Sequence, residues 1–230
     1  MPREPHLSPA ELGWRWLVGM GLISWRYLWA TTPLHRTERR GDGRPPPLPD
    51  EAATHELQPW ASGVGPLYHR TFRVRIDGAH KDAATLMDTV IADIGRLVPR
   101  EVVQVHEGAA HGRRMRVGER IVVDMPGPWN GPVRVVAVED RRLQLATLVG
   151  HLEAGQIEFR ARGDADQLVF EVEAWARAAT RMVDLLYSHL KLAKEIQLNM
   201  WVRFCLAAAA DAGGRVAGGV EVCTEVIDVG

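Results

Sequence analysis

Several common functions leave no mark on this sequence. Of its 230 residues only Cys205 and Cys223 are cysteines, too few for a disulfide framework, and a reducing cytoplasm is the expected setting. Lysine and arginine total 28 against 29 acidic residues, a net charge of −1, so no basic excess exists to hold nucleic acid through its phosphates. There is no G-x-S-x-G elbow, no phosphate-binding glycine loop and no C-x-x-C pair. Hydrolase, nucleotide-dependent and redox chemistry therefore lack sequence support, and no cofactor is expected. Long apolar runs are also missing. Trp16 to Ala30 is 15 residues long and contains Arg26, short of the roughly 20 apolar residues that a membrane span needs. It follows an acidic residue, Glu11, and no small-residue cleavage pattern comes after it, so it does not read as a secretory signal.

What is present suffices for a globular core: 46% hydrophobic and 25% charged residues. Ser8-Pro9-Ala10-Glu11 combines a capping serine, a proline at the first helical position and a glutamate three residues after the cap. The helix it starts runs to about Ala30 and carries Trp14, Trp16, Trp25 and Trp29, half of the eight tryptophans. Three readings stay open for residues 8–30: a helix packed on the body of the protein, an interfacial helix with tryptophan at the lipid headgroups, or a docking helix for a protein partner. Arg39 to Pro49 is charged, then proline-rich, and reads as an extended linker. Three parts are expected: residues 1–58 with the tryptophan-rich helix and linker, a main domain over 59–210, and a flexible tail over 211–230.

Tyr68 to Ile76 alternates as a half-buried strand, with Phe72, Val74 and Ile76 on one face and Arg73 and Arg75 on the other. Lys81 to Val98 has helical spacing and ends at Pro99. A short strand is expected over Glu101–His106. Five more strands follow at Arg120–Met125, Pro132–Glu139, Arg142–Val149, Gln156–Arg162 and Gln167–Trp175, with connections short enough for an antiparallel meander. Thr180 to about Ala210 is a long amphipathic helix, and Val220–Val229 has the character of an edge strand. This order predicts an α+β domain in which a curved antiparallel sheet wraps around a long C-terminal helix and encloses a cavity.

The most distinctive stretch is Leu143–Phe159, a strand, a tight turn and a strand. Gly150 and Gly155 bracket His151 and Glu153 in the turn, and a polar pair held on a rigid scaffold is a usual place for function. His151 is a candidate acid or base with Glu153 to orient it, and these two are the candidate catalytic residues. The alternative is that they tie the turn through backbone hydrogen bonds. Thr147 shares strand parity with Leu143 and Leu145 and belongs on the buried face, whereas Glu158 belongs outside. His189 interrupts the apolar stripe of the long helix. Tyr68, Thr147, His189 and Trp201 are the candidate ligand-binding residues, each with a polar handle among apolar neighbours. No metal is expected, because His151, Glu153 and a distant His69 or His189 meet only through tertiary folding.

From about Tyr68 to Leu206 the chain resembles the DUF1990 (UPF0548) family of bacterial and plant proteins. The resemblance is carried by Tyr68-His69-Arg70-Thr71, Gly118-Glu119, Pro132-Val133-Arg134-Val135-Val136 and, above all, Ala146-Thr147-Leu148-Val149-Gly150-His151-Leu152-Glu153-Ala154-Gly155-Gln156-Ile157-Glu158-Phe159. The family pattern is similar to Gly-Thr-Leu-x-Gly-His-Pro-Glu-x-Gly-Glu-x-x-Phe. Leu152 stands where proline is usual and Gln156 where glutamate is usual, while His151 and Glu153 match. The family resembles in turn the START/Bet v 1-like (SRPBCC) helix-grip superfamily, which implies a hydrophobic ligand cavity beneath the long helix. The resulting expectation is a protein that binds a hydrophobic small molecule, lipid or polyketide-like, with a possible cofactor-free cyclisation or dehydration in which His151 relays a proton and Thr147 supplies a hydrogen bond. The alternative is a non-enzymatic interaction or membrane-associated protein anchored through the tryptophan-rich helix.

Overall fold

A computed structural model describes residues 34–49, 54–98, 104–107, 113–124, 130–181, 183 and 191–229. The strands are β1 (Leu34–Gly41), β2 (Val64–Asp77), β3 (Gln104–Glu107), β4 (Arg120–Asp124), β5 (Asn130–Glu139), β6 (Arg142–Thr147), β7 (Glu153–Asp164), β8 (Gln167–Ala178) and β9 (Arg215–Ile227). They form one nine-stranded sheet in the order β1-β9-β2-β8-β7-β6-β5-β4-β3. From β3 to β8 the chain meanders, each strand pairing antiparallel with the one before it. β9 returns to pair with β2, and β1 joins β9 in parallel.

Alternation divides the sheet into two faces. Phe72, Val74, Ile76, Phe159, Phe170 and Val172 point inward and are fully buried. Among the described residues, two α-helices cover this face. The first, α1 (Ala83–Ala92), is started by Asp82, whose side chain accepts from the Thr85 amide, and packs on β6, β7 and β8. The long helix α2 (Lys191–Asp211) lies on β2, β8 and β9. Among its described side chains, Leu198, Phe204, Cys205, Ala208 and Ala209 are buried. A curved sheet gripping a long helix is the α+β helix-grip architecture expected above.

Four expectations change. The tail is no loose end, because Arg215–Ile227 is a strand in the interior of the sheet, with Val220, Val222 and Ile227 buried. The first three linker residues, Arg39–Gly41, end β1, and the Pro46 carbonyl beyond it accepts from Gln156 Nε2. The helix expected over 81–98 stops at Ala92, where Asp93 leaves helical geometry (φ −158°, ψ 82°) and its carboxylate caps a short 3-10 turn at Ile94–Arg96. Glu158 does face outward, yet it is buried at 5% exposure beneath Arg142 and Arg160. The tryptophan-rich helix expected over residues 8–30 lies outside the described residues.

Candidate functional site

The β6–β7 turn is held mainly by backbone and amide groups. Gly150 adopts φ +99°, a left-handed conformation that suits glycine. Gly155 has a different reason to be glycine: a Cβ there would lie 1.9 Å from the Trp175 carbonyl oxygen across the ladder. Gln58, on the segment before β2, stitches the turn. Its side-chain amide donates to the His151 carbonyl (2.9 Å) and the Glu153 carbonyl (2.8 Å), and its own carbonyl accepts from the Gly155 amide (3.0 Å). Thr147 completes the arrangement. Its hydroxyl donates to the Gln58 carbonyl (2.8 Å) and accepts from the Gly155 amide (2.9 Å).

His151 is bound into the same turn. Its Nδ1 accepts from the Glu153 amide at 2.9 Å, which places the proton of the neutral ring on Nε2. Burial pushes the imidazole pKa below its ordinary value and outweighs the opposing influence of Glu153. Near neutral pH the ring is therefore an uncharged acceptor at Nδ1 and donor at Nε2. The structure brings His151, Glu153 and Thr147 together around Gln58, a residue that no sequence motif singles out.

Tyr68 sits on the inner face, and Trp201 packs against that face from the long helix. Register places side chains there in rows across the strands. The row Phe159–Val172–Phe72–Val222 is fully buried. The next two rows, Ile157–Ala174–Arg70–Thr224 and Gly155–Ala176–Tyr68–Val226, differ. Half of their residues, Gly155, Ala174, Ala176 and Thr224, are small, and Ile157, Ala174, Ala176, Tyr68 and Val226 remain half-buried. Tyr68 and Arg70 stand in this patch with the guanidinium 5.0 Å from the ring centroid, and Arg70 is 8% exposed.

The long helix fixes which of its halves faces the patch. Its C-terminal end is tied to the far end of β2, where Ala212 O accepts from the His80 and Lys81 amides. Cys205 Sγ lies 3.9 Å from Phe72 O. Seven residues back from Cys205 the axis has advanced ~10 Å, while Phe72 to Tyr68 is ~13 Å along the strand, so the N-terminal half runs toward the small-residue rows. Trp201 stands at the boundary, edge-on to Phe159 (5.6 Å between centroids, 61° between planes) and against Phe204 (5.8 Å). Its Nε1 is buried without a hydrogen-bond partner. His189 lies outside the described residues. Among the described residues, no group of three or more His, Cys, Asp or Glu side chains is placed to hold a metal ion, and no helix is long and apolar enough to cross a membrane.

Residues 95–207 match the family described as Domain of unknown function (DUF1990). The matched segment is just under half of the chain. It takes in the β6–β7 turn and most of α2, while β1, β2 and β9 lie outside it. No curated protein matches the chain. Solved structures with a similar fold include the di-domain aromatase/cyclase StfQ from the steffimycin biosynthetic pathway, at 12% identity and TM-score 0.43, covering 67% of this chain and 53% of that one. The chain thus spans about half the length of StfQ. Norcoclaurine synthase from Thalictrum flavum is 14% identical, with TM-score 0.42 and coverage of 70% and 90%. The Zhui aromatase/cyclase from Streptomyces sp. R1128 is 18% identical, with TM-score 0.42 and coverage of 64% and 94%.

Proposed function

We propose that the protein binds an apolar small molecule, lipid or polyketide-like, on the small-residue rows of the inner face beneath the N-terminal half of α2. The observation that carries this reading is the pairing of a half-buried patch around Tyr68, Ala174 and Ala176 with the orphaned Trp201 N–H beside it. A buried donor left without an acceptor costs about 1–3 kcal/mol. A modest turn of the indole toward the patch lets a ligand carbonyl or hydroxyl accept from Nε1 and recover that cost, so the ligand is apolar in bulk and carries at least one acceptor oxygen. The polar environment of the β6–β7 turn supports a second, catalytic reading. His151 Nδ1 is held by the Glu153 amide, which leaves Nε2 as the ring's remaining donor for a cofactor-free cyclisation or dehydration.

The test is a fluorescence titration with Nile red, a neutral apolar dye that carries a carbonyl. Saturable one-to-one binding is expected for the native protein. Ala174→Leu fills the patch and should abolish binding while the far-UV circular dichroism stays unchanged. Trp201→Phe keeps the packed ring and removes the donor, so affinity should fall about two- to tenfold, the worth of one hydrogen bond. Absence of saturable binding, or binding indifferent to Ala174→Leu, contradicts the proposal.

A further inference from the structure

The outer face carries a second polar cluster, built entirely by register. His69 on β2, Glu225 on β9 and Arg39 on β1 lie in one row. The same row continues to Trp175 on β8, and the His69 and Trp175 rings stack at 4.8 Å with 3° between their planes. The imidazole is fixed at both nitrogens. Nε2 is 2.7 Å from Glu173 Oε1, and Nδ1 is 3.3 Å from Glu225 Oε2. Each carboxylate has a guanidinium of its own: Arg39 is paired with Glu225, and Arg160 lies 2.6 Å from Glu173. Arg160 also serves Glu158 and Glu171. A groove of about 380 Å³ borders the cluster, with His35, Glu221 and Arg73 on its other wall and the small side chains Thr37, Cys223 and Thr71 along its floor. Both ring nitrogens are already taken, so the imidazole is committed to the fold and not to a molecule in the groove.

We propose that His69 is a pH-operated latch between the β1–β9 pair and the rest of the sheet, closed while the imidazole carries a proton and loosened when it loses it. A protonated ring donates to both carboxylates at once. A neutral ring has one N–H. The shorter contact, to Glu173, keeps that proton, and the Nδ1 lone pair then faces the Glu225 carboxylate. Glu225 remains paired with Arg39, so it stays with β1 when its tie to β2 is lost. Two strands held to β2 by one ladder thus lose the side-chain clasp at this end together, while Glu221 of β9 keeps its ion pairs to Arg73 and Arg75 farther along β2. The groups facing the ring among the described residues are Glu173 on β8, Glu225 on β9, Arg39 on β1, Arg160 on β7, Cys223 on the groove floor, and Arg73, His35 and Glu221 across the groove. Burial alone would lower the His69 pKa, but the hydrogen bonds to Glu173 and Glu225 outweigh it and hold it above its ordinary value of 6.5. The same contacts help to hold both carboxylates below theirs. A raised histidine pKa gives stability that is fully present below about 6.5 and is lost as pH rises through the folded value.

The experiment combines an NMR titration of the histidine ring signals with hydrogen exchange on the full chain between pH 6 and 9, each rate corrected for its intrinsic pH dependence. His69 should titrate above 6.5. Protection of the β1 and β9 amides should fall across that titration by up to about tenfold per pH unit of its elevation, while the amides of α1 hold theirs. His69→Gln keeps a donor that does not titrate and should abolish the fall. Glu173→Gln should move the His69 midpoint downward. A midpoint at or below 6.5 in the native protein overturns the proposal without recourse to any variant, and so does a fall in β1 and β9 protection that persists in His69→Gln.

Discussion

At the scale of single residues, His151 and His69 do opposite things. His151 must be neutral, because its Nδ1 accepts from the Glu153 amide in a site that burial keeps uncharged. Its lowered pKa gives stability that is present above about 6.5 and is lost as pH falls through the folded value, the reverse of His69. His151→Ala removes the acceptor and strands the Glu153 amide, so urea unfolding at pH 8 should show a loss of about 1–2 kcal/mol. The variant should also lose less stability than the native protein between pH 7 and pH 5. Parallel pH profiles for the two proteins would show that the ring does not titrate with folding. The motif singled out His151, and strand parity placed Thr147 inward, where it is buried. Gln58 was not legible. A glutamine in a connecting segment carries no pattern, and its three bonds to the turn exist only after residues about ninety positions apart have met.

At the scale of elements, legibility followed burial. β2 and β8 each set one apolar face against one charged face, and that alternation announces a strand. The outermost strand β1 is exposed along nearly its whole length, so its sequence LHRTERRG has no apolar alternation to announce a strand, and its last three residues read as linker. Such charge is common on edge strands. β9 is harder to see for another reason. Gly218 and Gly219 take positive φ at the register shift opposite Val74 and Arg75, and they break its alternation near the start. Its interior place makes it indispensable. Deleting residues 215–230 removes three buried apolar side chains, Val220, Val222 and Ile227, worth about 1.5–3 kcal/mol each and together comparable with the whole stability of a domain, about 5–15 kcal/mol. The truncated chain should be insoluble or lack a cooperative thermal transition. A soluble, cooperatively folding product would show β9 to be an accessory strand.

At the scale of the whole molecule, one sheet separates two kinds of chemistry. The outer face is laced by ion pairs that run from β1 to β7 through Glu225, His69, Glu173 and Arg160. The inner face is apolar and filled by aromatic packing where Phe159, Phe170 and Phe204 meet. Toward Tyr68 the side chains become small, and the long helix brings Trp201 to the edge of that region with its N–H unanswered. The element order of the main domain foretold such a division of sheet and helix, but the position of the small rows depends on register, which sequence periodicity alone does not supply. The most direct test is native mass spectrometry of the full chain purified from its own cells, followed by organic extraction. The account predicts an apolar, oxygen-bearing compound bound near one per chain and absent from Ala174→Leu prepared in the same way. A native protein that carries no such compound and also fails to take up Nile red would contradict it.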